Sequence, residues 1–352
     1  MRAFVYAGAS PRVVFGAGSV SRLAEEIDRL GAKRALLLVT PGRSASVRLI
    51  AARLGEHLAG TYDNAVMHVP VEIAVDARRV AEELGADCCI AWGGGSTIGL
   101  GKAIALTSGL PVLAVPTTYS GSEMTAVLGM TEGGAKKTQR DPRVLPKTVV
   151  YDPELTLGLP AATSAASGMN AIAHCVEALY AHDANPVSML LAEEGIRALA
   201  NALPRVVAAP GDLEARSEAL YGAWLAGSSF ATTSLGLHHK LCHVLGGTFN
   251  LPHAETHSIV LPHALRYNRD AAPDAMRRIA RALGAQDAAV ALYELEAKLG
   301  LKMKLAEIGM PEDGLARAAR IATESPYPNP RPLVYEHVLE LLRDAYHGRR
   351  PL

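Results

Sequence analysis

The sequence predicts an α/β N-terminal domain built on a parallel, Rossmann-like sheet, followed by an all-α C-terminal domain. At 352 residues the chain is long for one domain, so two domains are expected. Short apolar runs alternate with helical stretches through roughly the first 150 residues, which is typical of a parallel sheet covered by helices. From about residue 160 onward, apolar residues recur at helical spacing. The boundary is therefore placed near 152–160, giving domains 1–155 and 156–352.

The strands and helices of each domain follow from the same patterns. Continuous apolar runs predict four buried strands, at 35–40, 65–69, 88–92 and 112–115. Helical periodicity predicts the helices between them, at 44–58, 74–84 and 97–107. A hairpin of residues 4–6 and 12–15 is expected beside this layer. In the second domain the periodicity predicts helices over 188–202, 214–228, 272–283, 287–300 and 333–346.

Composition excludes several classes of function. The formal net charge is zero and no basic patch stands out, so no nucleic-acid partner is expected. No apolar run approaches the roughly 18–20 residues of a membrane span, and the N-terminus lacks the apolar core of a signal peptide. The four cysteines form no CxxC pair, which suits a reducing compartment. We therefore expect a cytoplasmic protein without a membrane partner.

Two loops that follow predicted strands have features of a nucleotide site. The run from Gly93 to Thr97 opens a helix, so its glycines allow close backbone approach and the helix N-terminus can attract a phosphate. The run matches neither GxGxxG nor a Walker A loop, and by itself it is equally compatible with a tight turn. The second loop holds five Ser and Thr residues between 117 and 125. Because ligands bind at this edge of open α/β sheets, the two loops together favour a dinucleotide.

The densest chemical signal is a histidine cluster. Six of the twelve histidines lie between residues 238 and 263. The pairs His239/His243 and His253/His257 are spaced four residues apart, so each pair would share one face of a helix. Histidine titrates near neutral pH and is the commonest metal ligand, so the cluster predicts either a metal site or an acid–base site. The cleft between the two domains is the expected place for the ligand.

In their order along the chain, these motifs resemble the iron-containing alcohol dehydrogenase superfamily, which shares the dehydroquinate synthase-like fold. The segments that carry the resemblance are Gly93–Ser96, Pro116–Thr118 with Gly121–Glu123, the stretch 168–178, the histidines 239, 243 and 253, and Asn329–Arg331. The resemblance implies a nicotinamide cofactor and a homodimer. The residues expected to contact the cofactor are Thr40, Gly93, Gly94, Gly95, Ser96, Thr97, Thr117, Thr118, Tyr119 and Ser122.

Within this superfamily the sequence is most similar to the maleylacetate reductases. Metal-dependent members carry an Asp and a His four residues apart on one helix, plus two later histidines, as ligands. The matching positions here are Asn170, His174, His239 and His253, so a neutral amide replaces the carboxylate. Gly99 also stands where an Asp usually follows the glycine loop. The resemblance implies reduction of 2-maleylacetate to 3-oxoadipate with NADH, NADPH remaining open, during breakdown of aromatic and chloroaromatic compounds.

We expect a site that does not require a metal, because an Asn amide is a poor ligand for Fe²⁺ or Zn²⁺. Hydride addition to the alkene places charge on an enolate oxygen, which hydrogen-bond donors can stabilise. His243 and His253 are the expected catalytic residues, one stabilising that oxygen and the other donating a proton. The residues expected to line the substrate pocket are Asn170, His174, His239 and Arg331.

Some alternatives remain open at this stage. If a metal binds, its expected ligands are His174, His239 and His253. A metal-dependent alcohol dehydrogenase that tolerates Asn170 is then the competing function. A dehydroquinate synthase-like lyase is less favoured, because the histidine segment contains a single lysine, Lys240. Since the substrate would be a small dicarboxylate, Arg331, Lys102 and Lys240 are candidate cations for binding it.

Overall fold

The computed structural model describes residues 4, 6, 8, 10–42, 44–133 and 135–352, with the side chains of 44–46, 135 and 136 left aside. The chain forms two compact units that divide between Leu159 and Pro160. This division lies at the far end of the predicted boundary region. Phe4, Tyr6 and Gly8 group with the helical unit, whereas the sequence assigned them to the first domain. The sequence assignment of these residues is wrong because none of them joins the sheet of the α/β unit.

The α/β unit is built on a six-stranded parallel sheet in the order β1-β8-β5-β4-β2-β3. Its strands, with the separate antiparallel hairpin of β6 and β7, are β1 (Arg12–Phe15), β2 (Ala35–Leu38), β3 (Leu58–Tyr62), β4 (Cys88–Gly93), β5 (Val112–Pro116), β6 (Val127–Glu132), β7 (Ala135–Arg140) and β8 (Thr148–Tyr151). Its helices are α1 (Leu23–Arg29), α2 (Ser44–Leu54), α3 (Val71–Glu83) and α4 (Gly95–Ser108). Strands β2, β5 and β8 are buried along their whole length, as continuous apolar runs predict. The chain order reverses between β2 and β4, so their carboxyl ends border the switch point at which such sheets bind ligands.

The predicted strand at 65–69 is wrong. His68 and Val69 have φ angles of 65° and 45°, which are left-handed and incompatible with a strand. The strand that pairs with β2 on the side away from β4 is β3, which starts where the predicted helix 44–58 was expected to end. The predicted hairpin is also not found. Strand β1 pairs in parallel with β8, Phe4 and Tyr6 are not in strands, and Val5 lies outside the described residues.

The second unit is helical, and every helix predicted by periodicity is present. The helices are α5 (Ala161–Tyr180), α6 (Pro186–Ala208), α7 (Leu213–Ala231), α8 (Leu237–Phe249), α9 (His253–Asn268), α10 (Pro273–Ala282), α11 (Ala288–Lys298), α12 (Gly314–Thr323) and α13 (Tyr335–His347). Helix α5 is buried from Ser164 to Tyr180 and packs against α6, α7 and α9. Its polar residues therefore lie inside the unit. Within the described part of the chain, no helix has the length and apolar character needed to cross a membrane.

Helix α11 contains a buried carboxyl group, that of Glu296. The residue is 1% exposed, and neither of its carboxyl oxygens has a hydrogen-bond partner among the described residues. Burial raises its pKa well above the ordinary value of 4.5, because the charged form is poorly solvated there. The folded chain therefore binds this proton more tightly than the unfolded chain. Stability is then lost as the pH rises above about 4.5 toward the folded-state pKa.

Replacing Glu296 with leucine is expected to stabilise the fold. At pH 7 we expect the free energy of unfolding to rise by about 1–2 kcal/mol, because an unsatisfied buried polar group is removed. The gain should shrink as the pH is lowered toward 4.5. Urea denaturation at several pH values measures both effects, and an equal gain at every pH would contradict the assignment.

Candidate active site

The glycine loop of the α/β unit forms an open cradle at the start of α4. Gly93 ends β4 with a φ of 147°, and a Cβ atom there would lie 2.8 Å from the Thr97 hydroxyl oxygen. A Cβ on Gly94 would lie 3.0 Å from the Thr118 hydroxyl oxygen. Gly95 is exposed, and a Cβ there would meet no described atom within 4 Å. Glycine is thus needed where the loops touch, while space is left at the helix N-terminus, where backbone N–H groups favour a phosphate. These residues fit a dinucleotide pyrophosphate.

The other predicted cofactor residues lie along the same sheet edge. Thr40 follows β2, the glycine loop follows β4, and Thr117 follows β5, so they lie at the carboxyl ends of three adjacent strands. The Thr117 backbone N–H donates to the Gly93 carbonyl oxygen at 3.0 Å. Thr117 and Thr118 are partly exposed, whereas Tyr119 is fully buried and the Ser122 hydroxyl accepts from Lys102. The first two are therefore available to a ligand, and the last two maintain the loop.

The packing around Gly99 leaves no room for the Asp that usually stands at this position in the superfamily. A Cβ on Gly99 would lie 2.7 Å from Cγ2 of Val69, so Val69 fills the space that a side chain would need. The left-handed backbone at Val69 is held by Thr131, which donates from its backbone N–H to the Val69 carbonyl and from its hydroxyl to the His68 carbonyl. An Asp at this position would require that segment to move.

In the helical unit, the histidine cluster is organised around Glu177 of α5. One carboxylate oxygen, Oε2, accepts from the His239 Nδ1 at 2.7 Å and from the Gly236 N–H at 3.1 Å. The other, Oε1, accepts from the His238 N–H at 2.9 Å and from the Tyr180 hydroxyl at 3.2 Å. Glu177 thus fixes both the start of α8 and the orientation of the His239 ring. The hydrogen bond to the carboxylate places a proton on Nδ1 of His239 and so selects the ring tautomer.

The remaining rings pack around this centre. His174 stacks against Phe230 at 4.7 Å and against His239 at 5.0 Å between ring centroids. His238 Nε2 and His257 Nδ1 share a hydrogen bond of 3.0 Å. His243 and His253 are partly exposed, and their rings lie 6.1 Å from His239 and 4.4 Å from His257, respectively. The two predicted catalytic histidines thus have exposed surface and adjoin the buried group.

Burial favours the neutral form of His238, His174 and His257. It lowers the pKa of His238 to about 3, with the neighbouring His239 as the next cause. It also lowers the pKa of His174 and His257 well below 6.5. Burial raises the pKa of Glu177, an effect opposed by the electrostatic interaction with His238 and by the backbone hydrogen bonds from Gly236, His239 and His238.

These donors depart from the ligand set that the superfamily's catalytic metal implies. In the described chain, the donor atoms that lie within 4.8 Å of one another belong to His238, His239 and His257, a set different from His174, His239 and His253. Two of these residues, His238 and His257, are already hydrogen-bonded to each other through ring nitrogens. Asn170, 4% exposed, contributes a neutral oxygen, and both oxygens of Glu177 are occupied by hydrogen bonds. A site for Fe²⁺ or Zn²⁺ would lack an anionic ligand.

The predicted cations lie in structural contacts. Arg331 donates to the Tyr267 carbonyl at 3.3 Å, stacks over the Tyr267 ring at 4.5 Å, and lies 3.2 Å from His337 Nδ1. Lys240 lies 5.8 Å from the Tyr327 ring centroid. Lys102 is fully buried within the α/β unit, which corrects its proposed role as a substrate cation because solvent and small anions cannot reach it.

Asn329, of the segment matched to the superfamily, has a structural task. Its side-chain oxygen accepts from the Leu237 N–H at 3.2 Å, so it helps to fix the first residue of α8. Sequence reasoning missed Glu177 and Phe230. The available signal for Glu177 was a lone acidic residue one turn after His174, on a helix without another Asp, Glu, Lys or Arg.

Comparison with known proteins agrees with this description. The model of the iron-containing alcohol dehydrogenase family matches residues 10–153, and that of the C-terminal domain of the Fe-containing alcohol dehydrogenase family matches residues 164–346. The chain is 57% identical to maleylacetate reductase of Burkholderia cepacia over 351 residues, covering 100% of both chains. It is 56% identical to maleylacetate reductase of Sphingobium indicum, covering 99% of both. The crystal structure of maleylacetate reductase from Agrobacterium tumefaciens superimposes with a TM-score of 0.96 at 49% identity, covering 100% of both chains.

Two family models thus cover most of the chain, and relatives that share more than half of its residues match it from end to end. The parallel sheet, the glycine loop and the helical unit are the fold that the resemblance implied. The chain therefore belongs to the iron-containing alcohol dehydrogenase family and, within it, to the maleylacetate reductases, which are oxidoreductases.

Proposed function

We propose that the enzyme reduces the C=C bond of 2-maleylacetate to give 3-oxoadipate, with NADH as the reductant and without a catalytic metal. The observation that carries this proposal is the buried imidazole cluster centred on Glu177. Asn170 precedes His174 by one turn of α5 and provides a neutral amide where the resemblance would place an anionic metal ligand. The relatives named maleylacetate reductase support the choice of substrate. The competing function is oxidation of simple alcohols by a bound Fe²⁺ or Zn²⁺.

The residues of the α/β unit bind the cofactor in this proposal. The N-terminus of α4 at Gly95 holds the pyrophosphate, and the hydroxyls of Thr117 and Thr118 orient the rest. When bound, NADH supplies the hydride that the reduction consumes. The reaction adds one hydride and one proton across the C=C bond. Because the cofactor supplies the hydride and the helical unit the proton, the residues of the α/β unit only bind and orient the cofactor.

The helical unit supplies the proton and stabilises charge. One of His243 and His253 donates a hydrogen bond to the enolate oxygen, where negative charge develops. The other donates its proton to the adjacent carbon as a general acid. Both side chains are partly exposed, as contact with a substrate requires. The inner residues Asn170, His174 and His239 orient the substrate, and Glu177 keeps the His239 ring fixed.

The test is a product assay. Purified enzyme is mixed with 2-maleylacetate and NADH, consumption of NADH is followed by its absorbance, and the product is identified by mass spectrometry. We expect one 3-oxoadipate per NADH consumed. NADPH in place of NADH measures cofactor preference. Oxidation of simple alcohols with NAD⁺, and none of the expected product, would instead establish the competing function.

The proposal extends to the setting in which the enzyme works. It would act in the cytoplasm as a homodimer on a small dicarboxylate from the breakdown of aromatic compounds, with no nucleic-acid or membrane partner. Four free, buried cysteines are compatible with a reducing compartment. Sedimentation equilibrium would measure the mass, and a monomer at assay concentration would contradict the dimer.

A further inference from the structure

Beneath the second cofactor loop lies a buried lysine. Lys102 of α4 is 0% exposed, and its Nζ donates to the carbonyl oxygens of Ser122 at 2.6 Å and Val127 at 2.9 Å. It also donates to the hydroxyls of Thr125 at 3.0 Å and Ser122 at 3.3 Å. A buried ammonium is tolerated only where such oxygens replace its water. Lys102 therefore ties the helix that opens at the glycine loop to the segment 122–127.

A buried carboxylate holds the same loop from the other side. Glu123 is 0% exposed, and its Oε1 accepts from the Tyr151 hydroxyl of β8 at 2.8 Å. Its Oε2 accepts from the Ser120 hydroxyl at 3.2 Å. The loop is thus fixed both to α4 and to the strand next to β5 in the sheet.

The position of this loop matters because it touches the glycine loop. The Thr118 hydroxyl oxygen would lie 3.0 Å from a Cβ on Gly94, and Thr117 donates to the Gly93 carbonyl. A shift of the loop would therefore move the two threonines that face the cofactor and the cradle at Gly95 relative to each other. A ligand that spans both loops would lose affinity.

We propose that Lys102 and Glu123 are positioning residues that set the affinity for the dinucleotide by holding loop 117–125 against the start of α4. They act through the loop, since both are fully buried and do not reach the cofactor surface. This inference rests on the proposed function, because it requires that the cradle at Gly95 binds NADH. It concerns binding rather than the chemical step, so kcat at saturating NADH should change little.

The sharpest test substitutes Thr125, because this removes one hydrogen bond of Lys102 and leaves the lysine itself in place. Thr125→Val keeps the shape but loses the hydroxyl, and Thr125→Ser keeps the hydroxyl. We expect Thr125→Val to raise the Kd for NADH by roughly tenfold, as loss of a hydrogen bond to a charged group does. Thr125→Ser should stay within about twofold of the unchanged enzyme. Tyr151→Phe, which removes the hydroxyl that Glu123 accepts from, should raise Kd by a similar factor.

The measurements are the Kd from titration of NADH fluorescence and kcat at saturating NADH, with circular dichroism to verify folding. The control is Glu26→Gln, since Glu26 is a fully buried carboxylate of the same unit, paired with Arg12 at 2.9 Å and remote from the loops in sequence. It should lower stability and leave Kd unchanged. If the unchanged enzyme binds no NADH, the proposed function fails. If it binds NADH and Thr125→Val matches Thr125→Ser, the positioning role is overturned.

Discussion

Replacing either His243 or His253 with glutamine is expected to lower kcat by about 10²–10⁴-fold, the usual contribution of a general acid or a charge-stabilising donor. Both histidines lie beside the buried cluster, and both retain exposed surface. Glutamine preserves a hydrogen-bonding side chain of moderate length but cannot deliver a proton near neutral pH. The Kd for NADH should be unaffected, because neither residue belongs to the unit that carries the glycine loop.

The assay separates the two roles. A variant that has lost the general acid should form the product slowly and should show a larger solvent isotope effect than one that has lost the enolate donor. His347→Gln is the matched control, because His347 is exposed at the end of α13 and should retain full activity. If both active-site variants keep kcat within about threefold, the proton must come from another group, and these two residues would lose their assigned roles.

Replacing Glu177 with leucine is expected to lower the free energy of unfolding by about 3–5 kcal/mol, because several buried donors would lose their acceptor at a cost of about 1–3 kcal/mol each. The change would leave the N–H groups of Gly236 and His238 and the Nδ1 of His239 without their acceptor inside the protein. The His239 ring would also lose the contact that orients it. Activity should therefore fall even under conditions where the variant remains folded.

The same substitution at Glu296 is the control for this prediction. Both carboxyls are fully buried in the helical unit, yet Glu177 accepts four hydrogen bonds whereas Glu296 accepts none from the described residues. Urea denaturation should show a large loss of stability for Glu177→Leu and a gain for Glu296→Leu. Equal losses at both positions would mean that the size of the side chain, rather than its hydrogen bonds, determines the effect.

Periodicity and apolar runs predicted most of the fold, because the spacing of apolar residues along the chain depends on which faces of its strands and helices are buried. Strands β2, β4 and β5 were predicted, as were their connecting helices. Strand β3 was misplaced, since its sequence LAGTY is only partly apolar and its burial is partial. The apolar run at 65–69 is a better strand by composition, but left-handed residues and Pro70 end it. The hairpin of β6 and β7 was missed because its second strand, AKKTQR, has no apolar pattern.

The site was predicted unevenly for a similar physical reason. The glycine loop and the histidines are recognisable locally, by residue type and spacing. The role of Glu177 depends on contacts with residues about sixty positions away, which no local pattern encodes. Likewise, Lys102 was a candidate cation for the substrate in the sequence, and only the packing of α4 against the loop after β5 shows it to be buried.

The central claim is that this reductase works through histidines and hydrogen bonds without a catalytic metal. The most direct test is the rate of NADH consumption with 2-maleylacetate after dialysis against a strong chelator, with residual metal measured by mass spectrometry. We predict full activity at a metal content far below one ion per chain, and no gain when Fe²⁺ or Zn²⁺ is added. Activity lost on chelation and restored by either ion would contradict the claim and would make His174, His239 and His253 the expected ligands.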